Sequence, residues 1–215
     1  MGRKEQSHAK ALKQVAIKHL DNHIKSYGFK MKSGFLYKRQ GDFFFSMPVS
    51  VRYNNNENGY SLSGSALVKP YDLDDLFWDI FEIPGNKKQP DSLRANGAYV
   101  APSISIDSIS LKVDLENLAH SCNELLSNFE KIINKFLMDV TDIQSYFQYV
   151  KRTLEYNDEE LLFLLLEIQV CNYEGALRML ETEMSLGNSG GFRADDKDIY
   201  EYARDYCLEK LNEQK

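Results

Sequence analysis

The stretch Ile24-Lys25-Ser26-Tyr27-Gly28-Phe29-Lys30-Met31-Lys32-Ser33-Gly34-Phe35-Leu36-Tyr37-Lys38-Arg39 decides the fold class, because the spacing of its apolar residues changes at Gly28 from the helical to the extended period. Upstream, Leu12, Val15, Ala16, Leu20, Ile24 and Tyr27 recur at helical spacing, with Lys10, Lys13, Lys18 and Lys25 off the stripe. This predicts an amphipathic helix over Ser7 to Tyr27. Gly28 tolerates the left-handed conformation that ends such a helix. Downstream, Phe29 to Lys32 alternates, Ser33-Gly34 turns, Phe35 to Arg39 follows, and Gln40-Gly41-Asp42 turns into an aromatic-rich run ending at Tyr53. A helix that feeds a three-stranded meander predicts an α+β fold.

Working outward, Pro48 lacks the donor that a ladder needs, so the third strand either lies at an edge or breaks near Met47. Asn54 to Gly59 reads as a turn, and Tyr60 to Lys69 as a fourth strand loosened by Gly64. Asp72 and Asp75 form a capping arrangement, with Tyr71 and Leu76 as its staple, ahead of a short helix over Leu73 to Phe81. Residues 84 to 98 read as an irregular surface loop. Tyr99 to Val113 alternates, with a slip at Asp107-Ser108 that marks either a bulge or a tight turn. Leu115, Leu118, Cys122, Leu125, Phe129, Ile132, Phe136 and Val140 then make the longest helical stripe in the chain, capped by Asp114. At 1.5 Å per residue, a helix this long spans roughly 39 Å, enough to cover one face of a small sheet.

Four further helical segments follow: Ile143 to Leu154, Glu159 to Val170, Tyr173 to Leu186, and Asp196 to about Leu211. Leu161 to Leu166 is apolar on all sides, which makes that helix central, and Asn172 is placed to cap the next one. Gly187 to Phe192 reads as the most flexible point of this half, with Asp195-Asp196 in the first turn after it. The predicted architecture is an N-terminal helix plus antiparallel sheet covered by a long helix, followed by a helical bundle or helical hairpins. The boundary falls near Val140: residues 1–140 form an α+β sheet domain and residues 141–215 a helical subdomain.

At 215 residues and 43% apolar content the chain is long enough to bury a core, and no apolar run approaches the length of a membrane span. Its start is charged and passes into an amphipathic stretch, unlike a signal peptide, which reads as cytoplasmic. Cys122, Cys171 and Cys207 are widely spaced and sit in helical apolar patterns, so they read as buried small hydrophobes. The net charge is −6, unevenly spread: residues 1–40 hold ten Lys/Arg against two Asp/Glu, and the rest hold sixteen against thirty. Such asymmetry fits a nucleic-acid arm, an acidic surface for a basic protein, or two regions whose solvated faces attract one another.

Residues Tyr27 to Arg39 resemble the opening of a bacterial family known as domain of unknown function 4304. There a helix precedes a GFK-type strand, a Gly turn and a strand with an aromatic followed by a basic residue. The resemblance covers about the first 110 to 140 residues and implies a helix plus antiparallel sheet, with no activity attached. Where that family has a Gln-x-Ser pattern, this chain has Pro48-Val49-Ser50. More locally, Asn172-Tyr173-Glu174-Gly175-Ala176-Leu177 resembles the start of the second helix of a tetratricopeptide-like hairpin, but no second copy recurs at that period. This favours a generic antiparallel helix pair.

Three constellations are candidates for function. His8, His19 and His23 lie near one face of the first helix, but without a supporting carboxylate or thiol they read as structural rather than as metal ligands. Asp72, Asp74, Asp75, Asp79 and Glu82 read as an acidic helix face; either it or the acidic C-terminal helices engage a protein partner, itself basic. Lys30, Lys32, Lys38 and Arg39, interleaved with Phe29, Phe35 and Tyr37, read as the alternative: a surface for RNA or single-stranded DNA, with the aromatics turned to the core opposite the lysines. No phosphate-binding loop, nucleophile elbow or zinc-protease motif occurs. The reading is therefore a binding module of the kind exemplified by immunity proteins, without a catalytic residue, cofactor or metal.

Overall fold

The computed structural model describes residues 3–55, 58–156 and 159–214, so Asn56 and Glu57 of the predicted turn lie outside the described residues. The fold is α+β, with an antiparallel sheet and a C-terminal helical region. The chain divides into two compact units, Met1–Val68 with Ile104–Val140, and Lys69–Ser103 with Thr141–Lys215. The division differs from the sequence-based boundary in one respect. Residues 69–103 group with the C-terminal helices, because their polar side chains find partners among themselves and their aromatics pack with residues of the later helices.

In the first unit, helix α1 (Arg3–His23) tightens into a 3-10 turn (Ile24–Tyr27) and stops at Gly28, which is left-handed at φ 71°. Strands β1 (Lys30–Lys32), β2 (Phe35–Gln40), β3 (Phe43–Pro48), β4 (Ser50–Asn54), β5 (Gly59–Pro70) and β6 (Ile104–Val113) form one sheet in the order β1-β2-β3-β5-β4, with β6 also paired to β5. Pro48 breaks the predicted third strand in two, and the Val49 N–H at the break donates to Gly34 O at 2.8 Å. β3 lies between β2 and β5, so the break, and not an edge position, is what accommodates the proline. Gly64 does more than loosen its strand: a Cβ there would lie 2.5 Å from Met47 Cγ and 2.8 Å from Pro48 O, so the residue permits a close crossing. The slip in β6 is a bulge. Asp107 pairs with Ala66 and Ser105 with Leu67, which leaves Ile106 as the extra residue.

Helix α4 (Leu118–Asp139) lies against the sheet beside α1. It starts later than predicted, since Asp114 accepts the N–H groups of Glu116 and Asn117 in a turn outside the helix and Leu115 is exposed. Phe129 stacks on Phe29 at 5.0 Å, Phe136 meets Phe43 and Phe45 edge-on, and the Cys122 thiol approaches Ala16 O. Ile133, rather than Ile132, completes the buried stripe, whereas Val15 of the predicted α1 stripe is half exposed.

In the second unit, α2 (Leu73–Ile80) is followed by a 3-10 turn (Pro84–Lys88) and a short α3 (Ser92–Asn96), where sequence predicted an irregular loop. Helices α5 (Ile143–Thr153), α6 (Glu160–Gln169), α7 (Tyr173–Ser185) and α8 (Ile199–Glu213) follow, with a hairpin of β7 (Arg193–Ala194) and β8 (Lys197–Asp198) before α8. Every residue from Leu161 to Leu166 is buried, and Asn172 caps α7 by accepting the Gly175 N–H. Asp195 and Asp196 form the hairpin tip instead of a helical turn; Asp198 caps α8 in a reciprocal box with Glu201.

Candidate partner-binding site

The acidic face expected on α2 is not a single surface. Asp74 is fully buried: it takes the Lys69 ammonium at 2.8 Å on Oδ1, accepts the Ala101 N–H at 2.8 Å and has Arg94 Nη1 3.5 Å from Oδ2. Asp75 binds Arg94 Nη2 at 2.7 Å, and Asp79 binds Lys87 at 2.6 Å. The Arg94 guanidinium lies 4.0 Å from the Tyr71 ring centre and 4.7 Å from that of Trp78. Asp72 makes no side-chain cap, and of the five only it and Glu82 are exposed without an ion pair among the described residues. Burial lowers the Lys69 pKa and raises that of Asp74, each against the pull of the other. Three of the five carboxylates thus serve the fold, matched by cations at positions 69, 87 and 94 that the sequence carries nearby.

The basic hairpin is also rearranged. Lys38 is buried, paired with Glu130 and set over the Phe29 ring at 4.7 Å. Register puts Lys30 opposite Tyr37 and Lys32 opposite Phe35, so these lysines share a sheet face with the aromatics instead of opposing them. Lys30, Lys32 and Arg39 are exposed. His19 and His23 stack at 4.3 Å while His8 packs on Tyr60, and no group able to hold a metal occurs among the described residues. Of the cysteines, Cys122 and Cys207 are buried, with thiols pushed up to about 11 and about 12 by burial, but Cys171 is exposed.

A site that sequence reasoning missed lies around the loop 187–192 and the hairpin after it. Outside glycine, left-handed backbone is costly, and it gathers where surroundings hold it in place. Seven described non-glycine residues have it, and four of them, Glu82, Tyr99, Asp195 and Asp196, surround one aromatic cluster. In that cluster Phe81 contacts Tyr99 at 5.2 Å and Tyr202 at 5.0 Å, and Phe192 meets Phe77 at 5.2 Å and Tyr99 at 6.0 Å. No family model, curated protein or solved structure matches this chain. The resemblance of Tyr27 to Arg39 to domain of unknown function 4304 gains no support from these comparisons, and the site stands on its geometry alone.

The loop is fastened, in contrast to its flexible appearance in sequence. Glu183 is buried and accepts both the Tyr156 hydroxyl at 2.9 Å and the Asn188 amide. Gly190 is left-handed at φ 71° and lies so close to Tyr200 that a Cβ would come within 2.7 Å of its ring. Burial, followed by the charge of Glu183, pushes the Tyr200 hydroxyl up to about 12. Beside this loop is a hollow of about 560 Å³ with Asp196, Asp198 and Glu201 in its lining and Arg193 as its one cation. Gly191, Phe192 and Arg193 separate it from a second hollow of about 330 Å³ against Tyr99. Asp198 and Glu201 are committed to the helix cap, whereas Asp196 is fully exposed, with the exposed Arg193 guanidinium 3.9 Å from its Oδ1. The arrangement suits a cationic side chain that enters the first hollow while apolar surface covers Tyr99.

Proposed function

We propose that this chain is a non-enzymatic protein-binding module that engages a basic partner, as an immunity-type protein engages its toxin, through the hollow beside the 187–192 loop. The observation that carries this reading is the acid-lined concavity beside the fastened loop, with exposed Asp196 in its lining and the left-handed Tyr99 in the lining of the neighbouring hollow. Charge supports it: the second unit carries twenty-two Asp/Glu against twelve Lys/Arg, whereas the first carries ten against fourteen. The expected surface thereby moves from the α2 face to Glu82, Asp195 and Asp196. The three free thiols fit the cytoplasm, and no helix among the described residues is long and apolar enough to cross a membrane.

The test is capture from the native lysate by tagged protein, with and without nuclease treatment, with wild type beside Asp195→Lys/Asp196→Lys. A stoichiometric basic protein that is retained by wild type, released by salt and lost by the variant is the expected result. Equal capture by both proteins would remove the site. RNA-dependent recovery would transfer the function to the basic hairpin, where Lys30, Lys32 and Arg39 remain exposed and Lys38 no longer counts.

A further inference from the structure

The sheet of the first unit carries a second surface that the basic-partner reading does not use. Residues two apart along a strand share a face, and residues paired across strands stand side by side on it. Register therefore sets Arg52, Ser61 and Lys112 in one row across β4, β5 and β6. The next row is Ser50, Ser63 and Ser110, and the one after holds Ser65 opposite Ser108. A solvated sheet face usually fills with long side chains; here the small hydroxyls leave a hollow of about 340 Å³ whose lining includes Pro48, Arg52 and Ser108. Ser50 and Ser63 bond each other at 3.0 Å, while Ser108 and Ser110 are exposed and Ser61 and Ser65 half-buried. Arg52 and Lys112 are exposed and form no ion pair among the described residues. Two strand spacings put their Cα atoms roughly 10 Å apart, within reach of one shared anion for side chains of this length.

We propose that this platform binds the phosphate group of a small phosphorylated molecule. The guanidinium of Arg52 and the ammonium of Lys112 approach from the two sides, and serine hydroxyls donate to the remaining phosphate oxygens. Chemistry favours this occupant over the alternatives. Serine hydroxyls and the Arg52 guanidinium without an accompanying carboxylate in the hollow's lining, with Lys112 across the same row as Arg52, select an anion; Arg presents a fork that matches phosphate oxygens, and no aromatic lines the hollow to stack a nucleobase. The unit's charge, fourteen Lys/Arg against ten Asp/Glu, has the required sign.

The test uses the full chain, labelled for amide NMR and titrated at low salt with inorganic phosphate, with a nucleoside monophosphate and with an unphosphorylated oligothymidylate, using chloride as the ionic-strength control. Expected are saturable shifts with phosphate and the monophosphate, confined to residues 61–65 and 108–112. Arg52→Gln/Lys112→Gln should weaken both at least tenfold, with an unchanged thermal midpoint. Absence of shifts, shifts that chloride reproduces, or an affinity the double variant leaves intact would each overturn the proposal. So would shifts produced by the oligonucleotide alone, which would assign the surface to a nucleic-acid strand.

Discussion

The two units bury charge differently. In the first, Lys38 is the one Lys, Arg, Asp or Glu that is buried among the described residues, and its partner Glu130 keeps 30% exposure. The second buries Glu183 and, in one cluster, Lys69, Asp74 and Arg94, where the Lys69–Asp74 pair is closed to water at both ends. Apolar volume specifies the first unit, as the Phe29–Phe129 stack and the aromatic edge contacts of Phe136 show. Around α2 the second unit is specified by matched charges whose desolvation must be recovered by hydrogen bonds. Charges buried in this way make a site unforgiving: removal of one partner strands the other in a medium that cannot solvate it.

The largest effect follows from that contrast. Asp74→Ala, which leaves the buried Lys69 uncompensated and Arg94 with Asp75 alone, should cost about 3–5 kcal/mol in urea unfolding, whereas Lys69→Met/Asp74→Leu should recover most of the loss. A cost below about 1 kcal/mol for the single variant would break the comparison. In the first unit, Gly64→Ala forces a Cβ against Met47 and the Pro48 carbonyl and should cost about 1–3 kcal/mol, read as a lower denaturation midpoint. Glu130→Gln should cost less than about 1 kcal/mol, because its partly exposed carboxylate is replaceable by water. A loss as large as that of Asp74→Ala would erase the distinction between the units. The smallest effect concerns pH. Ser145, through its N–H and its hydroxyl, holds the Asp142 carboxyl below its ordinary value at the start of α5. A depressed carboxyl stabilises the fold above its unfolded pKa and loses that contribution as pH falls through the folded value. The midpoint gap between wild type and Asp142→Ala, measured near pH 6, should therefore narrow on acidification towards pH 2–3.

What the sequence made legible follows the same division. Gly28, the α4 stripe, the all-round apolar α6 and the Asn172 cap rest on local periodicity or on a side chain bonding a neighbour's backbone, and both are visible within a dozen residues. Lys38 was not legible, since its burial depends on Glu130, ninety-two positions away. Asp74 was misread for a related reason. A run of acids on a short helix has one pattern whether it faces solvent or a lysine and an arginine, and only the return of Arg94 and Ala101 beside it decides. The candidate site left one trace, the Gly187 to Gly191 cluster, which composition reads as flexibility; Glu183 and the ring of Tyr200 turn it into a fixed loop. Tyr99 left none, because nothing in the neighbouring residues marks a bulky aromatic for left-handed backbone.

The first unit is interrupted by residues 69–103, from the last two residues of β5 up to β6, which belong to a unit completed only by the C-terminal helices. On the ribosome this imposes an order. The first unit has all of its chain once Val140 has emerged, but Phe77, Trp78 and Phe81 must wait for helices α5 to α8. At about 5–20 residues per second, that wait lasts roughly 4–15 s. During it, a nascent chain with one finished unit leaves the aromatic segment around α2 without the helices that cover it, which makes this interval the point in the protein's life when a chaperone has most to hold.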